Sequence, residues 1–145
     1  MEENNLKEQS LNHERTAAIQ VAEARTSFDD LDERAKLALY SASEKKAFNL
    51  TALDLREIAS FTEFFIIAAG TNQRQAQAIS DEIEEQLKKQ LGARPIRIEG
   101  YNSAEWILMD YGDFVVHIFE QKAREFYDLE RLWRDARKVQ LPENL

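Results

Sequence analysis

Asp110 and His117 are the carboxylate and imidazole best spaced for acid–base work, because the stretch Glu99–Phe119 that holds them reads as folding back on itself. Such a pair could orient a serine for acyl transfer, but no Ser stands in an elbow-like setting with oxyanion donors beside it, so hydrolase chemistry is not expected. Metal chemistry fares no better. Cys is absent and His13 and His117 are the only histidines, so nothing supplies His117 with a second nitrogen ligand on that stretch. Two-metal phosphoryl transfer wants carboxylates at alternate positions of a strand, and none are present. Asp30 with Asp32 and Glu82 with Glu84 fall on helical patterns, where residues two apart do not face each other, and Asp113 falls in a turn. Gly70-Thr71 sits where a strand runs into a helix N-terminus, a weak anion-site signal; a tight turn with Thr71 or Asn72 as cap explains it more simply. No metal and no cofactor is expected.

What must position Asp110 and His117 is a β-hairpin. Two apolar runs flank Gly112-Asp113, and Gly112 suits the positive φ of a type II′ turn's first central position. That turn pairs Tyr111 with Phe114, Met109 with Val116 and Ile107 with Ile118 on one face, apolar apart from a phenol and expected to be core. The other face carries Trp106, Leu108, Asp110, Val115, His117 and Phe119, with Asp110 opposite Val115 and Leu108 opposite His117. Its mixture of large apolar groups, a carboxylate and an imidazole reads as a partner-binding surface. Alternatively, a helix covers it and the two polar groups find partners inside the protein.

A chain of 145 residues with 43% hydrophobic content fits one domain with a sizeable core. The net charge of −8 disfavours non-specific adhesion to phosphate backbones and anionic membranes and favours a basic partner surface. The N-terminus lacks the pattern of a signal peptide, and no run approaches the roughly 18 apolar residues of a membrane span, so a soluble, intracellular protein is expected.

Residues 1–26 are expected to be a flexible or partly helical extension, with Thr16–Arg25 helix-permissive but thin on its apolar side. The domain is expected over 27–140, with 141–145 as a tail after Pro142 ends the ordered structure. Ser27 and Asp30 have capping-box spacing ahead of a helix reaching about Lys46. Asn49–Leu55 alternates like a strand, and Phe64–Ala69 is a continuous apolar run suited to an interior strand. Asn72 with Gln75 then opens a helix whose Ala76, Ile79, Ile83, Leu87 and Leu91 form a stripe, stopped by Gly92. Pro95–Glu99 leads back to the hairpin. After it Phe126, Leu129, Leu132, Trp133 and Ala136 recur at helical spacing, as one helix closing the core with Arg131, Arg134, Arg137 and Lys138 on its exposed side. The class is α/β (α+β), a mixed β-sheet of about five strands flanked by helices.

From about Lys46 to Ala136 the chain resembles the ribosomal silencing factor or Iojap family. The resemblance rests on Ala52-Leu53-Asp54, Phe65-Ile66-Ile67, Gly70-Thr71, Glu99-Gly100, the block Trp106–Asp113 continuing into Val115-Val116-His117, and Arg124, Tyr127, Leu129-Glu130, Leu132-Trp133 and Asp135-Ala136. Departures are mild: Glu63 stands for a more usual Asp and Asn72 for a frequent Ser. The resemblance implies a nucleotidyltransferase-like fold without the catalytic carboxylate pair. It further implies a non-catalytic repressor that binds the large ribosomal subunit through a basic ribosomal protein at the inter-subunit face and blocks subunit joining. Bacterial cytoplasm or a plastid, no membrane or sequence-specific nucleic-acid partner, and a possible homodimer go with it. The alternative from a different class is a small nucleotidyl- or phosphoryl-transfer enzyme.

Overall fold

The structure, a computed structural model, describes residues 25–145, so the expected extension lies outside the described residues apart from Arg25 and Thr26. A 3-10 turn (Phe28–Asp30) leads into α1 (Glu33–Glu44), β1 (Phe48–Asp54), β2 (Phe64–Gly70), α2 (Gln73–Leu91), β3 (Arg97–Glu99), β4 (Trp106–Asp110) and β5 (Phe114–Glu120). Two short helices, α3 (Gln121–Tyr127) and α4 (Leu129–Leu132), and a two-residue strand β6 (Arg137–Lys138) complete it. The strands form one sheet in the order β3-β4-β5-β2-β1-β6, with β2 and β5 parallel and the other neighbours antiparallel. The fold is therefore the mixed α/β class expected, with six strands instead of about five. Among the described residues no helix is long and apolar enough to cross a membrane.

Every residue of β2 is buried, as an uncharged strand between two others requires. Its alternation divides the core. Phe64 and Ile66 join Ile107, Met109, Phe114, Val116 and Ile118 against α1 and α2, while Phe65 and Ile67 join Leu53, Leu55, Val115 and Phe119 on the opposite face. Within α2, Ala76, Ile79, Ile83 and Leu87 are fully buried, whereas Leu91 at its end is exposed. Burying each large aliphatic contributes about 1.5–3 kcal/mol, so this stripe is what holds α2 to the sheet. Asn72 caps α2 by accepting from the Gln75 N–H (2.8 Å), and Gly92 closes it in the left-handed conformation at φ 62°.

At the start of the domain the capping residue differs from expectation. Ser27 accepts from the Asp29 N–H and caps only the 3-10 turn, while α1 begins at Glu33 with Asp32 accepting from the Ala35 N–H (2.9 Å). Asp29 and Asp30 thus precede the helix. Past Pro142 the chain remains on the domain, with Leu141 and Leu145 packed against the main core cluster.

The hairpin has the register that the turn dictates: Ile107 opposite Ile118, Met109 opposite Val116, Leu108 opposite His117 and Asp110 opposite Val115. Gly112 takes φ 88°, and the Tyr111 N–H donates to the Phe114 carbonyl at 3.0 Å. A second glycine fixes the entry to β4. Gly100 has φ 77°, and a Cβ there would lie 2.1 Å from the Trp106 carbonyl oxygen. Gly100→Ala combines a left-handed penalty with a backbone clash and is expected to cost about 2–3 kcal/mol. Chemical denaturation checks this, and an unchanged midpoint would mean that the loop before Trp106 follows another path.

Candidate partner-binding site

The hairpin's second face is positioned by β4 and β5 and covered by α3 and α4. Glu120 caps α3 by accepting from the Ala123 N–H (3.2 Å), and Asp128 breaks the helix at φ 47°, ψ 52°. Aspartate tolerates this left-handed conformation better than most residues, so the chain restarts at Leu129 in a new helical phase. The single closing helix expected over Phe126–Ala136 is thus two helices, followed by a turn over residues 133–135 that places Arg137 and Lys138 in β6. The change of phase decides which side chains face inward. Leu129 is buried and Trp133 packs on the same cluster, while Phe126 and Leu132 are 81% and 77% exposed.

Arg124 clamps this cover. Its buried guanidinium donates to Glu130 Oε1 (2.9 Å), the Phe48 carbonyl (3.4 Å) and Thr51 Oγ1 (3.3 Å), tying α3 to both α4 and β1. Charge-assisted bonds of this kind are the stronger class, which suits a helix of only seven residues.

Seven rings run in succession beneath and through the cover: Phe61, Trp133, Phe65, His117, Trp106, Tyr127 and Phe126. Consecutive centroids lie 5.9, 5.5, 4.5, 5.9, 4.9 and 5.2 Å apart. Both ends of the row emerge into solvent, Phe61 at 61% exposure and Phe126 at 81%. Ile58, Tyr127 and Leu132 add exposed apolar area from the same chain segments, and exposed acids (Glu57, Glu63, Glu125, Asp128) and cations (Arg56, Arg131, Arg134) both adjoin the row in sequence.

The structure divides the six residues named from the sequence. Val115, His117 and Phe119 are buried, the outcome in which helices cover this face. Trp106, Leu108 and Asp110 are half-buried at the rim. Trp106 and His117 are joined directly, the indole Nε1–H donating to His117 Nδ1 at 3.0 Å. That bond leaves the histidine proton on Nε2, which is buried and has no hydrogen-bond partner among the described residues. Asp110 serves the hairpin by accepting from the Gly112 N–H (2.8 Å), with the Arg97 guanidinium 3.4 Å away.

Burial pushes the His117 pKa down to about 4 from its usual 6.5. The unfolded chain takes up this proton near pH 6.5 and the folded chain only near 4, so the contribution to stability is full above about 6.5 and drains away as pH falls between the two. The loss is at most about 3.5 kcal/mol at about 1.4 kcal/mol per unit. Asp54 acts lower. Burial opposes its ionisation, but hydrogen bonds from the Arg56 guanidinium, the Thr26 hydroxyl and the Arg56 N–H outweigh it and hold the carboxyl near 2, so its contribution fails only below about pH 4. Denaturation midpoints at pH 7.5 and 4.5 should therefore differ in the parent and converge in His117→Gln; an equal sag in both would remove burial of this imidazole as the cause.

Sequence reasoning missed Phe61, Phe126, Tyr127 and Leu132 as surface groups. Asp128 was the one signal for two of them, since it marks the place where the helical count restarts.

Among known proteins, a family model described as "Ribosomal silencing factor during starvation" matches residues 28–145. A protein of Halalkalibacterium halodurans named ribosomal silencing factor RsfS is 40% identical over 109 residues, 75% of this chain and 92% of its own length. The chloroplast protein Iojap of Zea mays is 37% identical over 102 residues, 70% of this chain and 44% of that longer protein. A crystal structure of a Chromobacterium violaceum protein superposes with a TM-score of 0.68 at 33% identity, covering 77% of this chain and 88% of that one. By the extent of the family match and the identity to its members, this chain belongs to the ribosomal silencing factor family.

Proposed function

We propose that the protein is a non-catalytic repressor of translation that binds a basic protein of the large ribosomal subunit, on the face that meets the small subunit, and so blocks subunit joining. The observation that carries this reading is the aromatic row open to solvent at both ends. Large exposed aromatics at the mouth of a packed apolar cluster are the kind of anchor that dominates protein–protein binding energy. The net charge of −8 favours a cationic partner and speeds its approach. Membership of the ribosomal silencing factor family says where such a partner is to be sought. Bacterial cytoplasm and plastid both fit, given relatives from bacteria and from a chloroplast.

Within this proposal the six residues of the hairpin face act at two levels. Trp106 and Leu108 extend the contact at its rim, and Asp110 holds the turn beside them. Val115, His117 and Phe119 support the contact from beneath, with Phe119 5.0 Å from the Trp106 ring. The test is sedimentation with separated subunits. The protein should travel with the large subunit and lower the yield of joined ribosomes as its concentration rises. Travel with the small subunit alone, or unchanged joining at saturation, would overturn the reading.

A further inference from the structure

At the open edge of the sheet, beyond β1, a groove of about 260 Å³ is lined by the cations Arg25 and Lys138, by Thr51 and by Gln140, and by no acid among the described residues. In a chain of net charge −8 this is an unusual surface. It is also a held one. The Thr26 N–H donates to the Lys138 carbonyl (3.0 Å), the Gln140 N–H donates to the Thr26 carbonyl (2.8 Å), and Arg25 donates to the Gln140 side chain (3.0 Å). These bonds set Arg25 beside Lys138 although the two are more than a hundred residues apart in sequence. Beneath them Thr51 Oγ1 accepts from the buried Arg124 guanidinium, whose charge Glu130 balances, and donates to the Asn49 carbonyl. Arg131 and Arg134, both exposed and without an ion-pair partner among the described residues, lie on the segment that runs from the aromatic row to the groove.

We infer that this groove holds the phosphate backbone of an RNA strand, without regard to sequence. Arg25, held by the Gln140 side chain, and the exposed Lys138 line the groove with the Gln140 amide, donors that suit successive phosphate oxygens, and nothing in the lining selects a base. The surface would give the molecule a second hold on a ribosome, where protein and RNA are interleaved. The source of the RNA rests on the proposed ribosome binding; the groove's chemistry does not.

A labelled oligouridylate titrated with the full chain at increasing potassium chloride tests the groove alone. The parent should bind at low salt and lose affinity as salt rises. Arg25→Gln with Lys138→Gln should bind about tenfold more weakly with a salt slope shallower by roughly 1.4, from about 0.7 per single-strand phosphate. Arg25→Lys with Lys138→Arg should restore both, which separates charge from shape. A parent that does not bind, a double variant with parental affinity and slope, or complete displacement of the RNA by equimolar inorganic phosphate would overturn the inference. Subunit sedimentation run in parallel keeps the two proposals apart. A wrong ribosomal reading appears as loss of co-sedimentation by the parent, and a wrong groove appears as unchanged oligouridylate binding by the double variant.

Discussion

Phe126→Asp combined with Leu132→Asp is expected to weaken binding to the large subunit at least a hundredfold while leaving the fold intact. The two side chains are 81% and 77% exposed, so they contribute little to the core and a charge at either position stays in water. On binding, the same exposure makes them the first apolar groups a partner covers. An anchor of this type is worth about 2 kcal/mol or more, each 1.4 kcal/mol is tenfold, and like effects at neighbouring positions do not add fully. Aspartate also suits a basic partner, so a loss cannot be assigned to repulsion and must come from the missing apolar contact. Circular dichroism with subunit sedimentation reads the result. A folded double variant that sediments like the parent would exclude this patch from the contact. If it also changed oligomeric state, the patch would belong between copies of the chain.

Ile118→Ala is expected to cost about 2–5 kcal/mol of folding stability, the largest effect of a single core change here. Ile118 is wholly buried in the middle of β5, opposite Ile107 on one neighbour and Ala68 on the other. Because its neighbours are backbone-paired on both sides, the sheet cannot close around the missing atoms, and the cavity term applies in full. Urea denaturation gives the difference. A cost below about 1 kcal/mol would mean that α2 shifts to fill the space.

The parts of the molecule legible in the sequence were those governed by local rules. Gly112-Asp113 fixed a turn, the turn fixed a register, and the register fixed which hairpin residues share a face. Asn72 and Gly92 marked the ends of α2 for equally local reasons. Alternation, however, names faces without saying what lies on them, and so Val115, His117 and Phe119 read as surface until α3 and α4 were in place. The helical count over Phe126–Ala136 failed at one residue, Asp128, whose left-handed backbone no periodicity announces. Asp110 looked like a charge awaiting a partner because its acceptor role two residues along the same chain is invisible to a search for ion pairs. The groove at Arg25 and Lys138 depends on a contact between the two ends of the domain, which no window of sequence contains.

The parallel pairing of β2 with β5 bears on how the chain reaches this state. Phe64 meets Phe114 and Ala69 meets Phe119, so the middle of the sheet joins segments about fifty residues apart, with α2, β3 and β4 made in between. Contacts of that span slow folding, because loop closure must precede any gain from them. Until β5 leaves the ribosome, the seven uncharged residues of β2 have only β1 to pair with, and their other edge stays open. An apolar strand with a free edge is the kind of segment that aggregates. During synthesis, therefore, the most hydrophobic strand of the protein waits for its second neighbour while about fifty further residues are made, and slowing elongation before residue 120 should raise the insoluble fraction.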